Sequence, residues 1–320
     1  MKLLFIIDPL DSLKTYKDTT LAIMREAVSR GHTLYTCLQS DVFLRNELVK
    51  INAAEFNFIE GVNWYTLKEN QETLPKDFDA IIMRKDPPFD NEYLYSTYLL
   101  ELAMGQGAWV LNNPSAVRSW NEKLSVAKFP QFSPEFLVTS NADLIRVFLD
   151  QQQDIIIKPL DGMGGSGIFR LTQSDPNLGV ILETATQFGR QSVMAQRYLP
   201  QISEGDKRII VVNGEPLPYA LARIPKAGET RGNLAAGGTG VAQLLNKRDT
   251  EIATTVGKVL KESGLFLVGL DVIGDYLTEI NVTSPTGMVE IAAQTKDLNL
   301  PCNPAQIFIQ ALENNIQTFS

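Results

Sequence analysis

The sequence predicts an α/β open-sheet domain followed by an α+β part, and three observations support this. The first third alternates short apolar runs with an amphipathic stretch, as open α/β sheets do. Near residue 160 a glycine-rich loop separates two apolar strands, and further on two apolar runs flank Asn213-Gly214, a hairpin turn signal. The length of 320 residues fits two or three folding units of about 100–200 residues each.

The N-terminal unit is expected to span residues 1–122. Its predicted elements are strands in KLLFIID, HTLYTCL and DAIIM and a helix from Thr19 to Arg30. Ligands of open sheets gather beyond the carboxyl ends of the strands. The loop DSLKTYKD, which contains Lys17, and the loop RKDPPFD, which contains Arg84 and Asp86, are therefore candidate binding segments. Ordinary solvated loop charges are the competing interpretation.

The remaining chain mixes helices with antiparallel strands, and we divide it into units at 123–200 and 201–320. The predicted elements are helices at 142–151, 178–189, 249–263 and 304–318, and strands in DIIIKPL, IFRLT, RIIVV, EPLPYALARI and the hairpin at 267–282.

Composition excludes several classes of protein. The formal net charge of −8 argues against a nucleic-acid surface, which needs clustered Lys and Arg. Asp8 and Pro9 end the first apolar run too early for a signal peptide, and no run approaches the ~20 residues of a membrane helix. Cys37 and Cys302 form no CxxC pattern. We expect a cytoplasmic protein with no membrane and no nucleic-acid partner.

The chain contains a single histidine, His32, which follows a predicted helix end. A surface position is the simpler interpretation of this residue. Chemistry that needs an imidazole base is therefore disfavoured. Phosphoryl transfer fits better, because positioning and charge neutralisation carry most of its catalysis.

The most informative segment is the predicted hairpin LVGLDVIGDYLTEINVTSPT. Glu279 and Asn281 are two residues apart and project from one face of a strand. We expect a three-residue connection at 274–276, which sets Asp271 opposite Glu279 on the same face; a two-residue turn would send it to the other face. Carboxylate and amide oxygens of this kind suit Mg²⁺. A solvated strand face is the alternative interpretation of so short a pattern.

A phosphate-binding loop is predicted after the strand that contains Lys158. Four glycines, Gly162, Gly164, Gly165 and Gly167, free backbone amides to approach an anion, and Lys158 supplies a positive charge. The segment satisfies GxGxxG, but a dinucleotide site needs a helix after the glycines, whereas IFRLT is a strand. We therefore predict a hairpin lid over a triphosphate.

A second glycine-rich segment, at 225–240, is too long for a simple connection. Loops of this kind are commonly lids or binding loops. Arg231 and Asn233 lie between its glycines and suit closure over an anionic substrate. A disordered surface loop is the competing interpretation.

Lys158, the glycine loop, Asp271 and the strand from Glu279 to Asn281 occur in an order that resembles the ATP-grasp superfamily of carboxylate-amine ligases. Four strings sharpen the resemblance: RKDPPFD, KPLDGMGG, ETRGNLAAGG and LTEINVTSPT. Together they are similar to the bacterial glutathione synthetases over nearly the whole chain. The resemblance implies an N-terminal substrate-binding domain, a central ATP-grasp lid subdomain and a C-terminal ATP-grasp catalytic subdomain with an antiparallel sheet.

The resemblance also implies the reaction and its ligands. γ-Glutamylcysteine and glycine would be joined through an acylphosphate, with ATP cleaved to ADP and phosphate. Two Mg²⁺ ions, which Mn²⁺ could replace, would assist, and relatives suggest a homotetramer. A sister ATP-grasp ligase, a non-catalytic ATP-binding regulator and a dehydrogenase are the alternatives.

The roles that the resemblance carries over to this sequence fall into four groups. For catalysis they are Arg208, Arg231 and Asn233; for ATP, Lys123, Lys158, Gly162, Gly164, Gly165, Gly167, Gln196, Tyr198 and Leu199; for substrate, Lys17, Arg84, Asp86, Arg223, Ser284 and Thr286; for metal, Asp271, Glu279 and Asn281.

Overall fold

The structure is a computed structural model of the whole chain, built from three successive sheets with helices packed on them. It describes residues 1–319 except 62, 163, 227, 230, 231 and 233–236, and side chains as far as residue 316. Within this part of the chain, no helix has the length and apolar character needed to span a bilayer.

The first sheet confirms the predicted open α/β domain. Its strands are β1 (Lys2–Ile6), β2 (Thr33–Cys37), β3 (Val42–Arg45), β4 (Leu48–Phe58), β5 (Tyr65–Leu67), β6 (Gln71–Thr73), β7 (Ala80–Met83) and β8 (Val110–Leu111). The order is β3-β4-β2-β1-β7-β8, and β5 and β6 both pair with β4. Strands β2, β1, β7 and β8 are parallel, whereas β4 is antiparallel to β2. Sequence patterning missed β3 to β6.

Both faces of this sheet are covered by helices. The helices of this region are α1 (Thr19–Ser29), α2 (Asn91–Gly105) and α3 (Pro114–Ser119). Leu3 and Phe5 of β1 belong to the same apolar core as α1, whereas Leu4 and Ile6 belong to the core of α2. This alternation follows from the period-2 geometry of a strand and explains the continuous apolar run in the sequence.

The second sheet has the order β11-β10-β12-β9 and a small core of its own. Its elements are β9 (Phe136–Thr139), α4 (Ala142–Gln152), β10 (Asp154–Pro159), β11 (Phe169–Thr172), α5 (Leu178–Ala185) and β12 (Val193–Arg197). Strands β10 and β11 are antiparallel neighbours joined by the glycine loop. The predicted hairpin is therefore present, and no helix follows the glycines.

The third sheet is antiparallel, with the order β15-β14-β13-β16-β17. Its elements are β13 (Asp206–Val212), β14 (Glu215–Ile224), β15 (Thr239–Leu244), α6 (Lys247–Glu262), β16 (Leu267–Ile273), β17 (Tyr276–Asn281), α7 (Met288–Thr295) and α8 (Pro304–Phe319). Helix α8 returns to α1, where Arg30 and His32 pair with Glu313. His32 thus has a structural contact.

The hairpin of β16 and β17 differs from the prediction in its turn. Ile273 pairs with Tyr276, so the connection has two residues and the predicted three-residue connection is wrong. The register then shifts, because Thr278 is an extra residue whose hydroxyl donates to the Asp271 carbonyl at 3.1 Å. This bulge sets Asp271 opposite Glu279, which is the predicted pairing reached by another route.

Candidate active site

A cleft of about 830 Å³ lies where the three sheets meet. Most of the predicted site residues line it: Lys17, Asp86, Lys123, Lys158, Gly162, Gly164, Gly165, Gln196, Tyr198, Leu199, Arg208, Arg223, Glu279, Asn281, Ser284 and Thr286. Asp271 lies behind the arginines of the wall, Gly167 packs on Pro159, and Arg84 lines a small adjoining pocket. Arg231 and Asn233 lie outside the described residues.

One end of the cleft holds two buried lysines that face one carboxylate. The ammonium groups of Lys123 and Lys158 lie 3.8 and 3.6 Å from Glu279 Oε1. Lys123 also pairs with Glu122 and donates to the Gly162 carbonyl at 2.8 Å, which ties it to the glycine loop. Two cations beside a glycine loop form a site for an anion that carries several charges.

Burial acts on both lysines, but with opposite net results. Burial lowers the pKa of Lys158, and the attraction of Glu279 only partly offsets it. Burial also lowers the pKa of Lys123, but Glu279 and Glu122 together outweigh it, so its pKa is raised. The pKa of Lys158 is therefore below that of an ordinary lysine, whereas the pKa of Lys123 is above it.

The glycine loop needs glycine for its backbone. Gly164 has φ +63° and Gly165 has φ +82°, in the left-handed region that L side chains rarely adopt. The loop turns β10 back into β11 and presents both glycines to the cleft, beside Lys158 of β10. This arrangement fits the predicted cover over phosphates.

A network of arginines holds Asp271. Arg208 donates to both carboxylate oxygens, and Arg223 Nη2 lies 2.9 Å from Oδ2. The Asn281 amide donates to the same oxygen at 3.2 Å. Burial alone would raise the pKa of Asp271, but Arg208 and Arg223 hold it well below its usual range, so Asp271 stays ionised.

The donors near the hairpin suit a hard divalent cation. Asp271, Glu279 and Asn281 offer two carboxylates and one amide, and the described residues contain no cluster of three His, Cys, Asp or Glu placed to hold a metal. Mg²⁺ is usually held by one or two carboxylates, with phosphate oxygens and water completing its shell. The donor set therefore fits a cation that a bound nucleotide helps to hold.

Beside Lys158, the cleft wall is apolar and carries a buried hydrogen-bond donor. Ile156, Leu199 and Ile202 line it, and the buried Gln196 Nε2 has no hydrogen-bond partner among the described residues. An apolar slot with one convergent donor suits a flat heteroaromatic base. The resemblance assigned Gln196 to ATP binding, and the structure shows that its side-chain amide is a buried donor without a partner among the described residues.

Arg84 forms the floor of the adjoining pocket. It is 5% exposed, its Nε donates to the Thr20 hydroxyl at 3.0 Å, and its Nη2 donates to the Pro285 carbonyl at 3.0 Å. Nη1 has no partner in the described structure, and burial lowers the pKa of the guanidinium. Close by, the Ser284 hydroxyl donates to Asp86. A buried arginine with a free N–H group suits an anionic ligand group.

Several acidic residues of the cleft were missed by sequence reasoning, among them Asp206 and Glu290. Both have a buried carboxylate oxygen without a partner among the described residues. Neither belongs to a recognisable motif, because their positions in the cleft depend on the sheet and on α7. Gly232 packs against Asp206, since a Cβ on Gly232 would lie 3.1 Å from the Asp206 Cβ.

The raised pKa of Asp206 can be tested by the pH dependence of stability. Burial raises its pKa from 3.8 to about 7, with Arg223 opposing and Asp271 and Glu279 adding to the rise. The stability that neutral Asp206 contributes is present below pH 3.8 and is lost as the pH rises through about 7. We expect the thermal midpoint of Asp206→Asn to rise relative to that of the parent as the pH increases from 3.8 to about 7, and the difference to level off above that. A difference that stays constant with pH would contradict this assignment.

Two family descriptions match the sequence. Residues 1–118 match "Prokaryotic glutathione synthetase, N-terminal domain", and residues 122–296 match "Prokaryotic glutathione synthetase, ATP-grasp domain". Among curated relatives, the glutathione synthetase of Nitrosomonas europaea is 57% identical over 320 residues, covering 99% of this chain and 98% of the relative. That of Neisseria meningitidis serogroup A is 55% identical, covering 92% and 94%.

Solved structures with low sequence identity share the fold. The D-cycloserine synthetase DcsG has a TM-score of 0.67 at 14% identity and covers 98% of this chain and 99% of its own. D-alanyl-alanine synthetase A from Vibrio cholerae has a TM-score of 0.62 at 16% identity, with coverage of 99% and 98%. These likenesses support the ATP-grasp architecture.

Proposed function

The chain belongs to the prokaryotic glutathione synthetase family, and we propose that it joins γ-glutamylcysteine to glycine while ATP is cleaved to ADP and phosphate. The observation that carries this proposal is the cleft itself. Two buried lysines and a glycine loop lie at one end, Arg208 and Arg223 lie beside the acidic hairpin, and Arg84 lies beyond them. The positive charges of the cleft therefore complement both a triphosphate and an acidic peptide.

The reaction needs activation of a carboxylate, because an ionised carboxylate resists attack by an amine. Transfer of the γ-phosphoryl group to the dipeptide carboxylate gives an acylphosphate, and the amine of glycine then displaces phosphate. Lys123 and Lys158 would neutralise the phosphate oxygens. Arg208, Arg223 and Arg84 would hold the carboxylates of the dipeptide, with Lys17, Asp86, Ser284 and Thr286 around them.

Asp271, Glu279 and Asn281 would hold Mg²⁺, in our proposal two ions that Mn²⁺ can replace. The cation supplies charge neutralisation at the phosphates. Gly162, Gly164, Gly165 and Gly167 would cover the triphosphate. Gln196, Tyr198 and Leu199 would receive the adenine, and Arg231 and Asn233 would close the site from their loop.

We further propose that the chain is divided at 1–122, 123–200 and 201–320, because each of the three sheets is built within one of these segments. A cytoplasmic location and a homotetramer are likewise proposed from the family resemblance.

The deciding experiment measures phosphate release from ATP with γ-glutamylcysteine, with and without glycine. We expect full turnover only with both, and glutathione formed in a 1:1 ratio to phosphate. Turnover with a different acid and amine pair would instead identify another ligase. Nucleotide binding without turnover on any pair would indicate a regulator.

A further inference from the structure

Glu290 is a cleft residue to which the proposed mechanism has given no role. It lies in the first turn of α7 and lines the cleft together with Arg223 and Gly287. Its Oε2 is buried, and no group in the described part of the chain donates to it. A buried carboxylate oxygen without a donor is costly, so a ligand that brings a donor would be bound favourably there.

The packing of α7 fixes where Glu290 lies. At the start of the helix, a Cβ on Gly287 would lie 3.8 Å from Arg208 Cγ. One turn after Glu290, Gln294 accepts from the Ala242 N–H and donates to the Gly240 carbonyl, both at 2.9 Å. Residues four apart share a helix face. Glu290 is therefore held between the arginine wall and strand β15.

The charge of this region favours a cation as the occupant. Asp271 is already engaged by Arg208 and Arg223, and Glu279 faces Lys123 and Lys158. Glu290 Oε2, by contrast, accepts no hydrogen bond from any residue that the structure describes. An ammonium group from a substrate would supply both the positive charge and the hydrogen-bond donor.

We propose that Glu290 Oε2 binds the ammonium group of the amino acid that attacks the activated carboxylate. This inference rests on the proposed ligase reaction and deepens it by assigning a subsite to the amine substrate. The other substrate ammonium, that of the dipeptide, has its own acidic surroundings around Arg84, where Asp8, Asp18 and Asp86 line the adjoining pocket. The two substrate ammonium groups would thus have separate acidic partners.

The test compares Glu290→Gln with the parent in steady-state kinetics. Loss of a charge-assisted hydrogen bond should raise KM for glycine by about 10- to 100-fold. KM for ATP and for γ-glutamylcysteine should stay within about 2-fold, well below the smallest change of about 10-fold expected for glycine. Glu251→Gln, which removes an exposed carboxylate on α6, is the matched control and should leave all three values unchanged.

An assay with hydroxylamine distinguishes failure of the Glu290 proposal from failure of the ligase reaction on which the proposal rests. Hydroxylamine is an uncharged nucleophile at neutral pH, so it can trap the acylphosphate as a hydroxamate without an ammonium subsite. The parent should form hydroxamate with ATP and γ-glutamylcysteine; failure there would reject the ligase reaction itself. Glu290→Gln should form hydroxamate at the parent rate while glycine turnover falls.

Other results would overturn the subsite. These are an increased KM for the dipeptide with glycine unaffected, a fall in both nucleophile reactions at unchanged KM, or no kinetic change at all. The Glu290→Asp variant retains the negative charge, so it distinguishes the loss of that charge from a folding defect. It should recover part of the glycine affinity, and equal losses in the Asp and Gln variants would also reject the proposal.

Discussion

Replacing Glu279 by Gln should remove most ligase turnover while leaving the protein folded. We expect kcat to fall by roughly 100-fold or more, because the variant loses a carboxylate that faces both Lys123 and Lys158 and that would hold the divalent cation. Gln has nearly the same shape, and the side chain is about a fifth exposed, so the core is not disturbed. Phosphate release at saturating substrates measures the effect.

The control for this variant is Glu55→Gln, which removes the same charge from an exposed ion pair with Lys68. It should retain parental turnover. The thermal midpoint of Glu279→Gln should stay within a few degrees of the parent. Full activity in Glu279→Gln would contradict the metal assignment, and raised Mg²⁺ should partly restore the rate if the assignment is correct.

Replacing Lys158 by Met should have opposite effects on stability and on activity. Lys158 is 4% exposed, and burial lowers its pKa, so the folded protein disfavours the charged form of this side chain. Met removes that charge and fills similar space. We expect the thermal midpoint at pH 7 to rise by on the order of 2 °C, whereas turnover falls about 100-fold or more because a phosphate contact is lost.

The stabilisation should also depend on pH in a defined direction. A lysine with a lowered pKa destabilises the folded protein most where both states are protonated, and the penalty disappears as the pH rises through the folded pKa towards the ordinary value of 10.5. The advantage of Lys158→Met should therefore shrink in alkaline solution. Lys68→Met, at an exposed site, is the matched control. A lower thermal midpoint together with parental ATP affinity would reject the interpretation.

Much of the fold followed from local patterns. The buried run of β1 and the N-cap of α1 by Asp18, whose carboxylate accepts from the Leu21 N–H at 2.8 Å, are readable from residue type and spacing. Strands β3 to β6 were missed because they are short or mixed in polarity. The β3–β4 pair is a local hairpin in which Arg45 pairs with Leu48, whereas β6 reaches β4 from further along the chain, with Thr73 paired to Ile51.

The sequence also determined most of the site chemistry, since Lys158, the four glycines, Glu279 and Asn281 carry it by type and order. Which residues these side chains contact, however, is determined by the tertiary structure. The bulge at Thr278 turns a two-residue connection into the pairing of Asp271 with Glu279, and a bulge of one residue has no clear signature in the sequence.

The acidic residues Asp206 and Glu290 show most clearly what the sequence determines and what the tertiary structure determines. By type each is an ordinary carboxylate, and only the packing of Gly232 and of α7 around the cleft buries an oxygen of each without a partner. Residue type fixes which charges a chain carries. Burial and distance, which fix how strongly those charges act, depend on contacts between segments far apart in the chain, and these exist only once the chain has folded.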